Sequence, residues 1–461
     1  MRATIALLAF MWPSFALAAE EASYHPVWAL PFVGMLASIA LFPLLAHHFW
    51  EHHQGKISAA WSAIVVLPML IWQGPIVAAD AVLHVAFLEY IPFILVLLAL
   101  FTVAGGIVVR GHLRGSPMTN TILLAIGTLL ASVIGTTGAS IVMIRPVLRA
   151  NDDRKHSVHV IIFFIFLVSN IGGSLTPLGD PPLFLGFLRG VDFFWTTQHL
   201  LLPMLLAAGI LLAIFFTIDT VIYRREGHIP GAGTPEAPLW VSGWPNIALI
   251  GAIIGSILLS ASLDLGSVTL LHTTVEIQNL LRDVALIAVT IVSVRITPES
   301  DLELNNFSWG PIKEVAKLFA GIFVTLIPVL AMLRQGLDGP FAALVSMVSN
   351  ADGTPNNLAF FWLTGVLSSA LDNAPTYLVF FELAGGNAEH LMTAGAVTLG
   401  AISAGAVFMG ANTYIGNAPN FMVYAIARNA GEPMPSFFGY MRWSGGILLP
   451  LFVLVSLIFY W

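Results

Sequence analysis

The chain of 461 residues has no cysteine, and only 9% of it is charged. The first absence excludes disulfides, thiolate-held metals and cysteine nucleophiles. The second sets it apart from an ordinary soluble domain, in which about a quarter of residues carry charge. No basic stripe of the kind that tracks nucleic acid is present, so no nucleic-acid partner is expected. A Walker phosphate loop, an HExxH helix and a GxSxG elbow are all missing, so no enzyme, no ATP-driven pump and no cofactor is expected. Short alternating strands of the membrane-barrel kind are missing too. What abounds is apolar: 57% of residues are hydrophobic and the mean hydropathy is +0.88. Several runs reach the roughly 20 residues that a bilayer-crossing helix needs. The fold class that follows is an all-α polytopic membrane protein.

Helix breakers are plentiful, with 27 prolines and 40 glycines, and one broken pattern occurs twice. Thr176-Pro177-Leu178-Gly179-Asp180-Pro181-Pro182 aligns with Thr413-Tyr414-Ile415-Gly416-Asn417-Ala418-Pro419 at an offset of 237 positions. Upstream, Ser132-Val133-Ile134-Gly135-Thr136-Thr137-Gly138 aligns with Ser369-Ala370-Leu371-Asp372-Asn373-Ala374-Pro375 at the same offset. Breakers recurring in register through an apolar chain point to a transporter built from two repeats. Lipid tolerates such breaks only where protein or a water-filled cavity satisfies the freed backbone.

Residues 1–19 read as a secretory signal peptide: Arg2, an apolar run to Leu17, then Ala16-Leu17-Ala18 as a small-residue cleavage site. Repeat 1 occupies 20–223, with spans near 27–48, 57–73 and 86–109, a re-entrant hairpin at 120–146, a broken helix at 157–189 and a closing span at 198–222. A polar linker covers 224–243. Repeat 2 occupies 244–461, with spans near 245–262, 277–296 and 315–333, a hairpin at 357–384, a broken helix at 391–427 and a last span at 438–460. A loop from Glu51 to Lys56 separates the first two spans. With an outer N-terminus, Arg110, Arg149, Lys155, Arg225 and Lys313 fall inside, as the positive-inside rule demands of a multi-pass protein of a bacterial inner membrane. Counting crossings then sets the two hairpins on opposite faces, which is inverted topology.

The breaks and hairpin tips carry Asp180, Asp372, Asn373, Asn412, Asn417, Thr136, Thr137, Thr176, Thr376 and Thr413, all oxygen donors. A carboxylate at membrane depth is costly and is a functional hypothesis by default. Burial favours its protonated form and a nearby cation its charged form. One such group then holds either a proton or a metal cation, which is the physical basis of cation/proton antiport. The alternative role is capping: Asp180 before Pro181, and Asp372 or Asn373 before Pro375, stand where helix caps stand. The threonine hydroxyls have the alternative of satisfying local backbone. His48 and His52, four apart at the end of span 1, read as an interfacial helix end or a metal pair. Arg145 and Arg189 read as snorkelling anchors, Glu382 is open, and the twelve tryptophans suit interfacial belts.

Ser169-Asn170-Ile171-Gly172-Gly173, followed by Leu175 to Asp180, resembles the signature of NhaD-type sodium/proton antiporters, and Leu371-Asp372-Asn373-Ala374-Pro375 resembles the second-hairpin motif of the same ArsB/NhaD branch of the ion transporter superfamily. The resemblance covers about 90 to 430. It implies a scaffold domain and a transport domain, a homodimer, and an elevator-like movement. It also implies a cation site at Asn170, Thr176, Asp180, Asp372, Asn373 and Asn417. Pro181-Pro182-Leu183-Phe184 departs from the hydroxyl residues of the antiporters and is similar to a subgroup often labelled citrate transporters. Three functions stay open: Na+ (or Li+)/H+ antiport, Na+- or H+-coupled symport of citrate or a dicarboxylate, and arsenite-type anion export. No resident metal is expected beyond transported Na+. The partners expected are small ions or a small carboxylate, and the lipid bilayer.

Overall fold

The computed structural model describes residues 24–227 and 237–461, and the signal segment expected at 1–19 lies outside them. Among the described residues, ten helices are long and apolar enough to cross a bilayer, the make-up of an all-α polytopic membrane protein.

Helices Leu30–Leu45 and His47–Trp72 are joined by Ala46 alone. The loop expected from Glu51 to Lys56 is therefore helix. Glu, Gln and Lys are good helix formers, and the turn between the first two spans falls earlier, at Ala46, whose φ −147° and ψ 55° leave the helical region. The nitrogens of His52 and His53 engage carbonyls of their own helix, at 2.9 and 3.0 Å. The third span begins earlier than its hydropathy suggests. Helix Pro75–Val85 runs through a π turn, Ala86–Tyr90, into Ile91–Gly105.

Two short antiparallel ribbons were not foreseen. Val108–His112 pairs with Ala237–Ser242, so part of the expected linker is a strand that ties the two halves together. Its Val and Trp residues suit a pleated surface, and Arg110 lies over the Trp240 ring at 5.2 Å. The second ribbon, Ser267–Leu270 with Thr273–Glu276, turns at Leu271 and His272, both at positive φ. It links helices Trp244–Ser262 and Ile277–Ile296.

Helix Pro117–Ile134 starts on Ser116, whose hydroxyl accepts from the Thr119 amide at 3.1 Å. It turns at Gly135 and packs against Thr136–Ala150. In the second half, Asn357–Ala370 turns at Leu371 and Asp372 into Asn373–Leu383. Each pair is followed by an interrupted helix. The first runs Val158–Leu167, a 3-10 turn at Ile171–Leu175, then Pro181–Leu188. The other runs Ala396–Met409, a 3-10 turn at Gly410–Asn412, then Ala418–Asn429. Trp195–Arg225 and Phe437–Phe459 close the halves.

The interrupted helices form the centre. Every residue of Val160–Val168 is buried, as an all-round apolar helix should be. Phe163 packs on Phe215 and Phe166 on Tyr440, so both closing helices wrap it. Leu399–Met409 is equally buried. Its small residues permit close approach: a Cβ on Gly405 would stand 2.5 Å from the Phe361 carbonyl oxygen.

Gly135 has φ 80° and ψ 153°, a conformation open only to glycine, and a Cβ there would stand 3.1 Å from the Leu178 carbonyl oxygen. Gly135→Ala is expected to lower stability by about 1–3 kcal/mol. Thermal melting in detergent checks this, and an unchanged midpoint would refute it.

Candidate functional site

The two breaks are built by the same contacts at an offset of 237 positions. The Thr176 hydroxyl donates to the Ser132 carbonyl at 2.5 Å, and the Thr413 hydroxyl to the Ser369 carbonyl at 2.6 Å. Ser132 in turn donates to the Gly172 carbonyl at 2.5 Å and Ser369 to the Met409 carbonyl at 3.0 Å. These bonds staple each break to the helix pair before it and satisfy freed carbonyls. The residues that open the second half-helices also match: Asp180 has φ −146°, ψ 142° and Asn417 has φ −153°, ψ 141°. Glycine is required beside them. A Cβ on Gly179 would stand 2.1 Å from the Gly173 oxygen, and one on Gly416 would stand 2.6 Å from the Gly410 oxygen.

Asp180 lies where the breaks meet and is 1% exposed. It does not cap the helix that follows. Oδ1 accepts from the Thr136 hydroxyl at 2.9 Å and from Asn417 Nδ2 at 3.2 Å, and Oδ2 accepts from Asn373 Nδ2. One carboxylate is thus held by a side chain of its own half and two of the other, all neutral. Asp372 takes the capping role instead, accepting from the Ala374 amide at 3.1 Å. The Asn373 Oδ1 atom is buried without a partner.

Behind this cluster, Asn417 Nδ2 also reaches the Ser169 carbonyl at 3.2 Å and Asn170 Oδ1 at 3.4 Å. Asn170 donates to Asn420 Oδ1 at 2.7 Å and to the Ile165 carbonyl at 2.8 Å. Asn420 donates to the carbonyls of Gly410 and Thr413, at 2.9 and 3.0 Å. Asn420 was missed in the sequence because its counterpart at the repeat offset is Leu183. A buried asparagine two residues into a half-helix was the only signal.

Of the expected residues, Asp180, Thr136, Asn373, Asn417 and Asn170 therefore converge, with Asp372 next to Asn373 in the chain. Thr176 and Thr413 act as staples. Asn412 lies with the second staple, donating to Ser369 Oγ at 2.9 Å while its own Oδ1 is buried without a partner. The Thr376 hydroxyl serves the Asp372 carbonyl at 3.0 Å. Thr137 is half-buried and outside the hydrogen bonds of Asp180.

What converges is an enclosed set of oxygens, amides and one carboxylate beside interrupted helices. Unwound backbone of this kind coordinates small cations in other transporters, while half-helix N-termini face anions. Among the described residues, no group of three or more His, Asp or Glu is placed to hold a resident metal ion.

Arg189 is not a lipid-facing anchor. It bridges Glu382 and Glu89, the latter at 2.8 Å, and Glu382 also pairs with Arg334 at 3.2 Å. A guanidinium taken from water needs such partners, and these carboxylates lie 100 and 193 positions away in the chain. Arg145 is half-buried, with its Nε lacking a partner.

Comparison with known proteins places these features. The chain is 25% identical over 361 residues to an "uncharacterized transporter" of Mycobacterium bovis, and equally to one of Mycobacterium tuberculosis; each match covers 76% of this chain and 78% of the relative. A family described as "Putative citrate transport" matches residues 21–460. The chain belongs to that family of membrane transporters.

Proposed function

We propose that this transporter exchanges Na+ or Li+ for H+ at Asp180. The observation that carries the reading is that three neutral groups, Thr136, Asn373 and Asn417, hold its carboxylate, and no Lys or Arg is among them. Without a fixed positive partner the group can take up a proton or a small cation, each excluding the other. The unpartnered Asn373 Oδ1 is a further oxygen for the ion. We read the two halves as inverted-topology repeats, with Pro117–Ala150 and Asn357–Leu383 as re-entrant hairpins that enter from opposite faces. The matched staples at Thr176 and Thr413 support this reading. A location in a bacterial inner membrane and a homodimeric assembly complete it.

The family description favours a second reading, coupled symport of citrate or a dicarboxylate. The half-helix N-termini at Pro181 and Ala418 would then face the carboxylates of the substrate, because Arg189 is already engaged by Glu89 and Glu382. Arsenite-type export has no observation of its own here.

Everted vesicles containing the protein and a pH dye separate the readings. Antiport predicts proton movement on adding Na+ or Li+ alone. Flux that appears only with citrate, and none with sodium by itself, would replace antiport with symport.

A further inference from the structure

A second polar region lies at the arginine-rich end of the molecule, apart from Asp180. Here the loop at Lys155 and His156 meets the end of helix Trp195–Arg225 and the start of the last helix, around a cavity of about 600 Å³. We propose that this cavity binds an anionic phosphate group, the chemistry shared by an acidic phospholipid headgroup and a soluble phosphate ester.

The charges at the cavity are arranged unequally. Its acid, Glu226, is already used: Oε2 accepts from Arg154 Nε at 2.8 Å and Oε1 from the His156 amide at 2.7 Å. Asp219, beneath it, accepts from Arg154 and His159, at 2.8 and 2.9 Å, and from Asn120 at 3.0 Å. Glu432, beside the lining residue Pro433, accepts from the Ser157 hydroxyl at 2.6 Å. The carboxylates are thus turned into the protein. Lys155 and Arg225 line the cavity exposed, with no ion-pair partner among the described residues.

The rest of the lining is largely apolar, with Val158, Ile222 and Trp443. A basic rim over an apolar wall at the end of membrane helices suits a lipid headgroup, and basic pockets between helices on the cytoplasmic side bind such headgroups. The positive-inside rule puts this end on that side. The buried Arg154 network fixes the wall in advance, so that ligand binding need not order it.

The test uses the full-length protein in neutral detergent, with its melting followed as phosphatidylglycerol, phosphatidylcholine or inorganic phosphate is added. Phosphatidylglycerol, inorganic phosphate or both should raise the midpoint, and phosphatidylcholine should not. A response to phosphatidylglycerol alone identifies a lipid, and a response to inorganic phosphate identifies a soluble anion. The Lys155→Gln/Arg225→Gln variant should melt normally without ligand and need on the order of tenfold more of the effective anion. An Arg295→Gln/Lys313→Gln pair, exposed elsewhere, should behave as wild type. No response to either anion overturns the proposal. So does an equal response to phosphatidylcholine, or equal weakening in the two double variants.

Discussion

Asp180→Asn is expected to reduce sodium-driven proton flux in everted vesicles by about 100-fold or more, which corresponds to losing roughly 3 kcal/mol of cation binding. The substitution removes the ionisable oxygen and keeps the shape. It should also leave the protein folded. The new amide oxygen still accepts from Thr136 and Asn417, which now serve Oδ1. The new NH2 group would face Asn373 Nδ2, a clash of donors, but Asn373 carries a buried Oδ1 with no partner. Turning that amide over restores an acceptor, so the melting midpoint should reflect a change within about 1 kcal/mol. Asp180→Ala is a poorer probe because it leaves two buried donors unsatisfied, the Thr136 hydroxyl and Asn373 Nδ2, whereas Asn417 keeps Ser169 and Asn170. Flux at the wild-type rate in a folded Asp180→Asn protein would remove Asp180 from the transport cycle.

The contrast between Asp180 and Asn420 shows what the sequence makes legible. The span expected at 277–296 coincides with helix Ile277–Ile296 although Arg282 and Asp283 burden its first turns, because those two charges pair with each other at 2.9 Å. Breakers in register marked both interruptions, and with them the acid between them. Asn420 carries no such mark, and it serves the second break from a position filled by leucine in the first. Long-range pairing is equally silent: nothing in the neighbourhood of Arg189 announces Glu89 or Glu382. The ribbon between Val108–His112 and Ala237–Ser242 was hidden for another reason. Its strands are short and flank apolar helices, so a hydropathy window absorbs one into a span and the other into a linker.

Arg154→Met is the stability counterpart of Asp180→Asn, with an expected loss of about 3–5 kcal/mol. The side chains of Arg154 and Asp219 are fully buried, and Glu226 is nearly so. One guanidinium serves Asp219, Glu226 and the Gly115 carbonyl, at 2.8, 2.8 and 3.0 Å. Its removal strands two carboxylates in a poorly solvated site, although Asp219 keeps His159 and Asn120. Arg154→Lys should recover little, because a single ammonium cannot reproduce a planar fork aimed at three acceptors. Arg154→Met with Asp219→Asn and Glu226→Gln should recover most of the loss, since the penalty arises from uncompensated charge and not from the missing pair itself. Melting of the three variants in the same detergent tests the argument. A wild-type midpoint for Arg154→Met would show that water reaches the carboxylates. A triple variant no better than the single would assign the cost to packing. The network also joins the end of the first helix pair, through Asn120 and Asn151, to the start of the interrupted helix at His159. Loss of Arg154 should therefore loosen the segment that carries Asp180, and transport should fall along with the midpoint.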